Sequence, residues 1–116
     1  MFLRKRIPLP DGQAAVVILS APAEDGPSGK FVVGRSAADG GALVLAFDTA
    51  CTFHKDIGEK YGLRPMGGGW CEVVERRREV WISGHSTQFG REPDRTLTLT
   101  LFEAALPGYR VEEEEG

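Results

Sequence analysis

The sequence predicts a single α+β domain in which a mixed β-sheet is flanked by two short helices. Its 116 residues are the length of one ordinary domain. Short apolar runs bounded by turn residues recur along the chain, as expected of strands. Two other stretches carry the start and stop signals of short helices. Strands scattered among two short helices are typical of the α+β class.

Composition narrows the class of protein and its partners. Apolar residues make up 41% of the chain and charged residues 27%, which is typical of a soluble globular protein. The net charge of −3 argues against a nucleic-acid partner. No apolar run approaches the roughly 18 residues of a membrane helix, and no apolar segment follows the basic start as in a signal peptide. Cys51 and Cys71 lack CxxC spacing, so we expect reduced thiols in a cytoplasmic protein, with one disulfide as the less favoured alternative.

Four apolar runs in the first half of the chain are interpreted as strands. They cover residues 3–8, 14–19, 30–35 and 42–47. Pro8 and Pro10 restrict the first run to an edge of the sheet, because proline cannot donate a ladder hydrogen bond. The last run fits a buried strand or a helix, and its short length and flanking glycines favour a strand. Residues 21–29 and 36–41 are predicted loops.

The second half contains the two predicted helices. The first follows His54 and ends at Gly62, which is suited to a left-handed stop. Residues 63–69 are expected to form a loop, and residues 70–75 and 79–83 an antiparallel pair. After a loop at 84–94, residues 96–99 are interpreted as a strand, and Thr100 with Glu103 as a capping box that begins a short helix. Residues 109–111 are the last predicted strand, and residues 112–116 an acidic tail.

Two histidines carry the candidate chemistry. An unperturbed imidazole has a pKa near 6.5, so it can exchange a proton close to neutrality. His54 precedes a helix, and residue composition alone favours an ordinary surface histidine there. His85 lies in a Gly- and Ser-rich segment whose successive N–H groups could turn towards one anion, although an ordinary loop is the commoner outcome. A metal site with the cysteines lacks ligand spacing, and a triad of Ser86, His54 and Asp56 lacks a nucleophile elbow.

Four motifs, in order, resemble the phosphohistidine phosphatase/Janus family. Phe53-His54-Lys55-Asp56-Ile57 is similar to its aromatic-His-x-Asp-Ile segment, and Gly67-Gly68-Gly69 to its triple glycine. Gly84-His85-Ser86-Thr87-Gln88-Phe89-Gly90 resembles its Gly-Tyr-Ser-x-x-aromatic-Gly phosphate loop. Pro107-Gly108-Tyr109 resembles the Pro-x-Tyr before its final strand. The similarity covers most of the chain, with a looser match upstream of residue 53.

The resemblance implies a hydrolase of phosphohistidine that needs neither a metal nor another cofactor. His54 would be the general base that activates water. The phosphoryl oxygens would be held by the Ser86 hydroxyl and by five backbone amides, those of Lys55, His85, Ser86, Thr87 and Gln88. The implied partner is a phosphorylated protein histidine or a small phosphoramidate or anionic ligand, with no nucleic acid and no membrane.

Departures from the family pattern keep two other functions open. The family's substrate-binding lysine falls at Ala15, and the arginine after its triple glycine at Trp70, so both become expected pocket residues. Arg35 is the expected replacement cation, with Lys30, Arg64 and Arg91 as further candidates. One alternative is a non-catalytic module that binds an anion or small ligand, or regulates. The other is an enzyme that applies His54 to a non-phosphate aromatic substrate stacked on Trp70.

Overall fold

The computed structural model describes residues 1–21, 26–38 and 40–114, and in this part of the chain seven strands and two helices follow one another. The strands are β1 (Phe2–Pro8), β2 (Ala14–Ser20), β3 (Ser28–Ser36), β4 (Leu43–Asp48), β5 (Leu63–Val74), β6 (Glu79–Ser83) and β7 (Arg110–Glu113). The helices are α1 (His54–Tyr61) and α2 (Arg95–Ala105). The predicted α+β class, with a mixed sheet and two helices, is confirmed.

All seven strands form one sheet in the order β1-β2-β4-β3-β5-β6-β7. Strand β2 runs parallel to β4, and β6 parallel to β7, whereas the remaining neighbours are antiparallel. Strand β1 is at the edge, as its prolines predicted. The ambiguous run before Asp48 is strand β4, so the preference for a strand over a helix is confirmed.

The two faces of the sheet are covered by different helices. Side chains alternate along β2, so that Val17 and Leu19 join the core cluster that includes Phe102 of α2, whereas Val16 and Ile18 join the cluster that includes Ile57 of α1. Burial on both faces explains why β2 and β4 are almost continuously apolar. Helix α1 ends at Gly62 with a φ of 64°, the left-handed stop predicted for it.

The triple glycine lies within a strand and not in the expected loop. Strand β5 begins at Leu63, and Gly67, Gly68 and Gly69 pair with Val33, Val32 and Phe31 of β3. A Cβ on Gly68 would lie 2.2 Å from the Phe31 carbonyl oxygen, and one on Gly69 would lie 2.5 Å from the Ser83 carbonyl oxygen. The close approach of neighbouring backbone therefore requires glycine at these positions. Because glycine has a low strand propensity, the sequence pattern does not indicate a strand there.

Helix α2 begins five residues before the predicted Thr100 cap, and residues 96–99 are helical. Their alternating threonine and leucine letters have the period of a strand, but the buried positions are spaced as on a helix face: Arg95, Thr98, Leu101, Phe102 and Ala105. The Asp94 carboxylate accepts the Leu97 N–H at 3.0 Å and so caps the helix. The Thr100 hydroxyl instead donates to the Thr96 carbonyl oxygen.

The sheet continues into the expected acidic tail. Glu112 and Glu113 belong to β7 and pair in parallel register with Trp81 and Ile82. The Glu114 N–H donates to the Ile82 carbonyl oxygen at 2.7 Å, which extends this pairing. Glu113 also forms ion pairs, because it accepts from two guanidinium groups. Residues 115–116 lie outside the described part of the chain, as do residues 22–25 of the predicted loop at 21–29 and residue 39 of the loop at 36–41.

Candidate functional site

A cleft of about 230 Å³ opens where the start of α1 meets the sheet and residues 84–88. Phe53 and His54 line it from the start of α1, Lys30 from β3, and Gly69 and Trp70 from β5. His85, Ser86, Thr87 and Gln88 line the opposite side. The two segments that the sequence singled out, more than thirty residues apart, thus face one cleft. We call residues 84–90 the anion loop.

His54 is held against β5 with one ring nitrogen committed. Its Nε2 lies 3.0 Å from the Gly69 carbonyl oxygen. Because a carbonyl oxygen only accepts, Nε2 carries the proton, and in the neutral ring the lone pair is on Nδ1. Nδ1 has no hydrogen-bond partner among the described residues, and the His54 side chain lines the cleft. The ring passes over Gly68, where a Cβ would lie 3.1 Å from its Cδ2.

The surroundings of His54 favour its neutral form. Burial is the largest effect and lowers the pKa of the imidazole below its usual value of 6.5. The hydrogen bond to Gly69 opposes this effect, whereas the charge of Lys30 adds to it. The neutral ring, with its lone pair on Nδ1, is therefore the favoured form near neutral pH.

The anion loop closes on itself through Ser86. The Ser86 N–H donates to the Gly90 carbonyl oxygen at 3.1 Å, and the Gly90 N–H donates back at 2.8 Å. The Ser86 hydroxyl oxygen accepts the Phe89 N–H at 3.0 Å. The expectation that the Ser86 amide holds a phosphoryl oxygen is therefore wrong, because that amide is already used inside the loop.

Three exposed amides of the loop remain available. The N–H groups of His85, Thr87 and Gln88 have no hydrogen-bond partner in the part of the chain that the structure describes. All three residues are exposed and line the cleft. The amides of Thr87 and Gln88 are consecutive, and unpaired N–H groups of consecutive residues can attract an anion. Three of the five amides predicted to bind phosphate are therefore unpaired and belong to residues that line the cleft.

The cation in the cleft is Lys30 and not Arg35. Lys30 is the cross-strand neighbour of Trp70, and its Nζ lies 5.3 Å from the centre of the indole ring. Arg35 is exposed at the other end of β3, beside Leu43 and Arg64, and donates to the Gly41 carbonyl oxygen. The register of β3 against β5 decides this difference. Lys30 is among the further candidate cations that the sequence offers, and its pairing with Trp70 distinguishes it from Arg35.

Two further predicted residues lie outside the cleft. Ala15 is fully buried in β2, where its neighbours are Ile7 and Leu43 of the core, so it does not line the site. Lys55 is exposed on α1 and does not line the cleft either. By contrast, Trp70 does line it and remains 41% exposed, as does Phe53 at 57%. Two exposed aromatic side chains beside the anion loop form an apolar rim.

No protein-family model matches this sequence, and a search of curated proteins finds no relative. Within residues 1–21, 26–38 and 40–114, no group of three or more His, Cys, Asp or Glu side chains could hold a metal ion. The same part of the chain has no helix that is both long and apolar enough to span a membrane.

Proposed function

We propose that this protein hydrolyses a phosphoryl group carried on nitrogen, as a phosphohistidine phosphatase does. The observation that supports the proposal is one cleft with a neutral imidazole, three unpaired amides and an ammonium group. Phosphoryl transfer requires little covalent work from a protein, because positioning and charge stabilisation supply most of the catalysis. The cleft offers groups for both tasks.

Each group has a role in the proposed reaction. The amides of His85, Thr87 and Gln88 and the Lys30 ammonium hold the phosphoryl oxygens. Water attacks phosphorus and gives a proton to Nδ1 of His54, so that a P–O bond forms while the P–N bond breaks. The leaving nitrogen takes up a proton from solvent and departs as a neutral amine or imidazole, and His54 then returns its proton to solvent. The substrate is a phosphorylated protein histidine or a small phosphoramidate.

We place this activity in the cytoplasm, where thiols are kept reduced. Both cysteines are free thiols in the structure. Cys71 is fully buried within β5, and burial raises the pKa of its thiol, so it is an inert core residue.

Two substitutions of His54 test the catalytic role. His54→Gln keeps an amide N–H that can reach the Gly69 carbonyl but removes the base, whereas His54→Ala removes both. We expect each to lower the rate of phosphoramidate hydrolysis at pH 7 by about 10²–10⁴-fold, the usual contribution of a general base. Only His54→Ala should lose stability. Release of inorganic phosphate and circular dichroism provide the two measurements.

Phosphate binding by the His54→Gln variant is the control for this experiment. His54→Gln should bind inorganic phosphate as tightly as the wild type, which separates loss of the base from loss of the loop. The phosphatase proposal fails if the wild type releases no phosphate above background. It also fails if His54→Gln retains the wild-type rate.

A second candidate is a module that binds an aromatic anion without turnover. The use of the Ser86 amide within the loop favours it, because one donor fewer remains for a developing charge. The exposed rings of Phe53 and Trp70 favour an aromatic group on the ligand. Titration with benzoate and with phosphate distinguishes the candidates. Binding of benzoate that is weakened by Trp70→Ala, together with no hydrolysis, supports the module.

A further inference from the structure

A buried ion network lies directly behind the anion loop. Arg95 donates from Nε and Nη2 to the two carboxylate oxygens of Glu92, both at 2.8 Å. Arg95 is 4% exposed and Glu92 is 3% exposed, so both charges are almost completely removed from water. The Thr98 hydroxyl also donates to Glu92, and Nη1 of Arg95 donates to Glu113 at 3.1 Å. The proposed reaction uses none of these groups.

The same guanidinium fixes the first residue of the anion loop. Nη2 of Arg95 donates to the Gly84 carbonyl oxygen at 2.8 Å, and Gly84 lines the cleft. The guanidinium carbon lies 5.5 Å from the Phe31 ring centre, and a Cβ on Gly69 would lie 3.1 Å from Nη2. Arg95 is thus enclosed between the floor of the cleft and the start of the loop.

The end of the anion loop is hydrogen-bonded to strand β5. The Gly68 N–H donates to the Gly90 carbonyl oxygen at 3.0 Å. A Cβ on Gly67 would lie 2.3 Å from the Glu92 nitrogen, so the chain that follows the loop packs directly on β5. Because Gly69 also accepts the His54 hydrogen bond, β5 contacts both the imidazole and the end of the loop.

We propose that Arg95 is a positioning residue of the anion loop, and that Glu92 holds Arg95 in the required orientation. By fixing the Gly84 carbonyl, Arg95 sets the direction in which the following amides point into the cleft. The role rests on the proposed function in one respect, namely that the loop binds a phosphoryl group. Arginine is required because its planar fork binds Glu92 through two nitrogens while it reaches Gly84, which an ammonium cannot do.

The burial of this pair is itself an argument for such a role. Replacing a buried ion pair by apolar side chains is often neutral for stability or increases it, so stability alone is a weak reason to retain the pair. Here the pair supplies a geometric constraint that an apolar replacement lacks, the hydrogen bond to Gly84.

Three variants separate charge, geometry and stability. The double variant Glu92→Leu/Arg95→Met removes both charges together and the bond to Gly84. Arg95→Lys keeps a cation beside Glu92 but lacks the fork. Arg91→Met is the matched control. Arg91, a candidate cation in the sequence, does not line the cleft, and it contacts the same Glu113 from the surface, where its side chain is 54% exposed. The measurements are the dissociation constant for inorganic phosphate, the thermal midpoint, and amide hydrogen exchange of residues 85–90.

We expect both Arg95 variants to weaken phosphate binding about tenfold or more, since a lost hydrogen bond to a charged group corresponds to at least that factor. Exchange of the Ser86 and Gly90 amides, which bridge the loop, should become at least about tenfold faster. The thermal midpoint of the double variant should remain close to that of the wild type. Arg91→Met should change none of the three.

The outcomes separate this proposal from the phosphatase proposal. A wild type that hydrolyses nothing overturns the phosphatase, but faster loop exchange in the Arg95 variants still supports the positioning role. A folded double variant with wild-type phosphate affinity and loop exchange overturns the positioning role. Failure of both Arg95 variants to fold overturns it as well, because Arg95 would then serve the fold as a whole.

Discussion

The positive charge of Lys30 acts on two parts of the cleft, the space beside the anion loop and the His54 imidazole. Its ammonium group lines the cleft beside the anion loop, and its charge contributes to the lowered pKa of His54. We expect Lys30→Met to weaken phosphate binding about fivefold to tenfold, less than for a fully buried charge because Lys30 is only partly buried. The pKa of His54 should rise at the same time. A phosphate titration and an NMR titration of the two histidines measure these effects.

Arg35→Met is the control for this prediction, because Arg35 is exposed on the same strand but outside the cleft. It should leave phosphate affinity and the pKa of His54 unchanged. If Arg35→Met weakens phosphate binding and Lys30→Met does not, the pairing register of β3 with β5, which places Lys30 in the cleft, is wrong.

Sequence motifs identified the residues of the site that are local in the chain. His54, Trp70 and the segment from His85 to Gln88 belong to short motifs whose order could be recognised, and all line the cleft. Lys30 and Arg95 belong to no such motif. Lys30 enters the site through strand register, and Arg95 through the packing of α2 behind the loop, so neither position follows from local pattern.

At the scale of elements, strand β5 is the part of the fold that the site depends on most. Gly68 permits β5 to lie against Phe31 and permits the His54 ring to cross above it. We expect Gly68→Ala to lower the free energy of unfolding by about 3 kcal/mol, because backbone must move to admit even one methyl group. The proposed hydrolysis should fall as well, because the His54 ring could no longer lie over Gly68 in its present position. Urea denaturation and the phosphate-release assay are the measurements.

Gly12→Ala is the control for Gly68→Ala. Gly12 has a φ of 84°, and a Cβ added there would meet no atom within 4 Å, so alanine costs only backbone strain of about 1 kcal/mol. Equal losses at the two positions would contradict the close approach at Gly68. A folded Gly68→Ala protein with full activity would contradict the claim that Gly68 is needed to place the His54 ring.

Strand β5 and helix α2 were predicted only in their second halves, and the two errors have a common physical cause. Strand β5 contains three glycines that backbone contacts require, and α2 contains a Thr-Leu alternation with a buried arginine. In both cases tertiary contacts override local propensity. Strands β1 to β4 and helix α1 were predicted correctly, because their apolar runs and the Gly62 stop agree with the final packing.

At the scale of the whole molecule, both faces of the sheet contribute to one site. Helix α1 covers one face and delivers His54, whereas α2 packs against the other core cluster and delivers Arg95. The glycines of β5 lie between them, and a Cβ on Gly68 or Gly69 would approach one side chain from each helix. With Arg95 in the proposed positioning role, the site requires both helices to be docked, and we infer that folding and site assembly are one event.

Buried titratable groups make the free energy of unfolding depend on pH in two separate ranges. Burial lowers the pKa of His54, so its contribution is fully present above the unfolded value of 6.5 and is lost as pH falls. Although burial alone would raise the pKa values of Asp48 and Glu92, hydrogen bonds from Lys60 and from Arg95 lower both overall. Their contributions are present above the unfolded values of 3.8 and 4.5 and are lost below them.

We expect the free energy of unfolding, measured in urea from pH 3 to pH 8, to fall first below about pH 6.5 and again, more steeply, below about pH 4.5. His54→Gln should abolish the first decline and leave the second unchanged, because it removes the imidazole without touching either carboxylate. The Glu92→Leu/Arg95→Met double variant should reduce only the second. A wild-type curve that is flat between pH 5 and pH 7, or one that His54→Gln does not alter, would show that the imidazole is not desolvated. His54 would then lack the lowered pKa on which its proposed role as a neutral base depends.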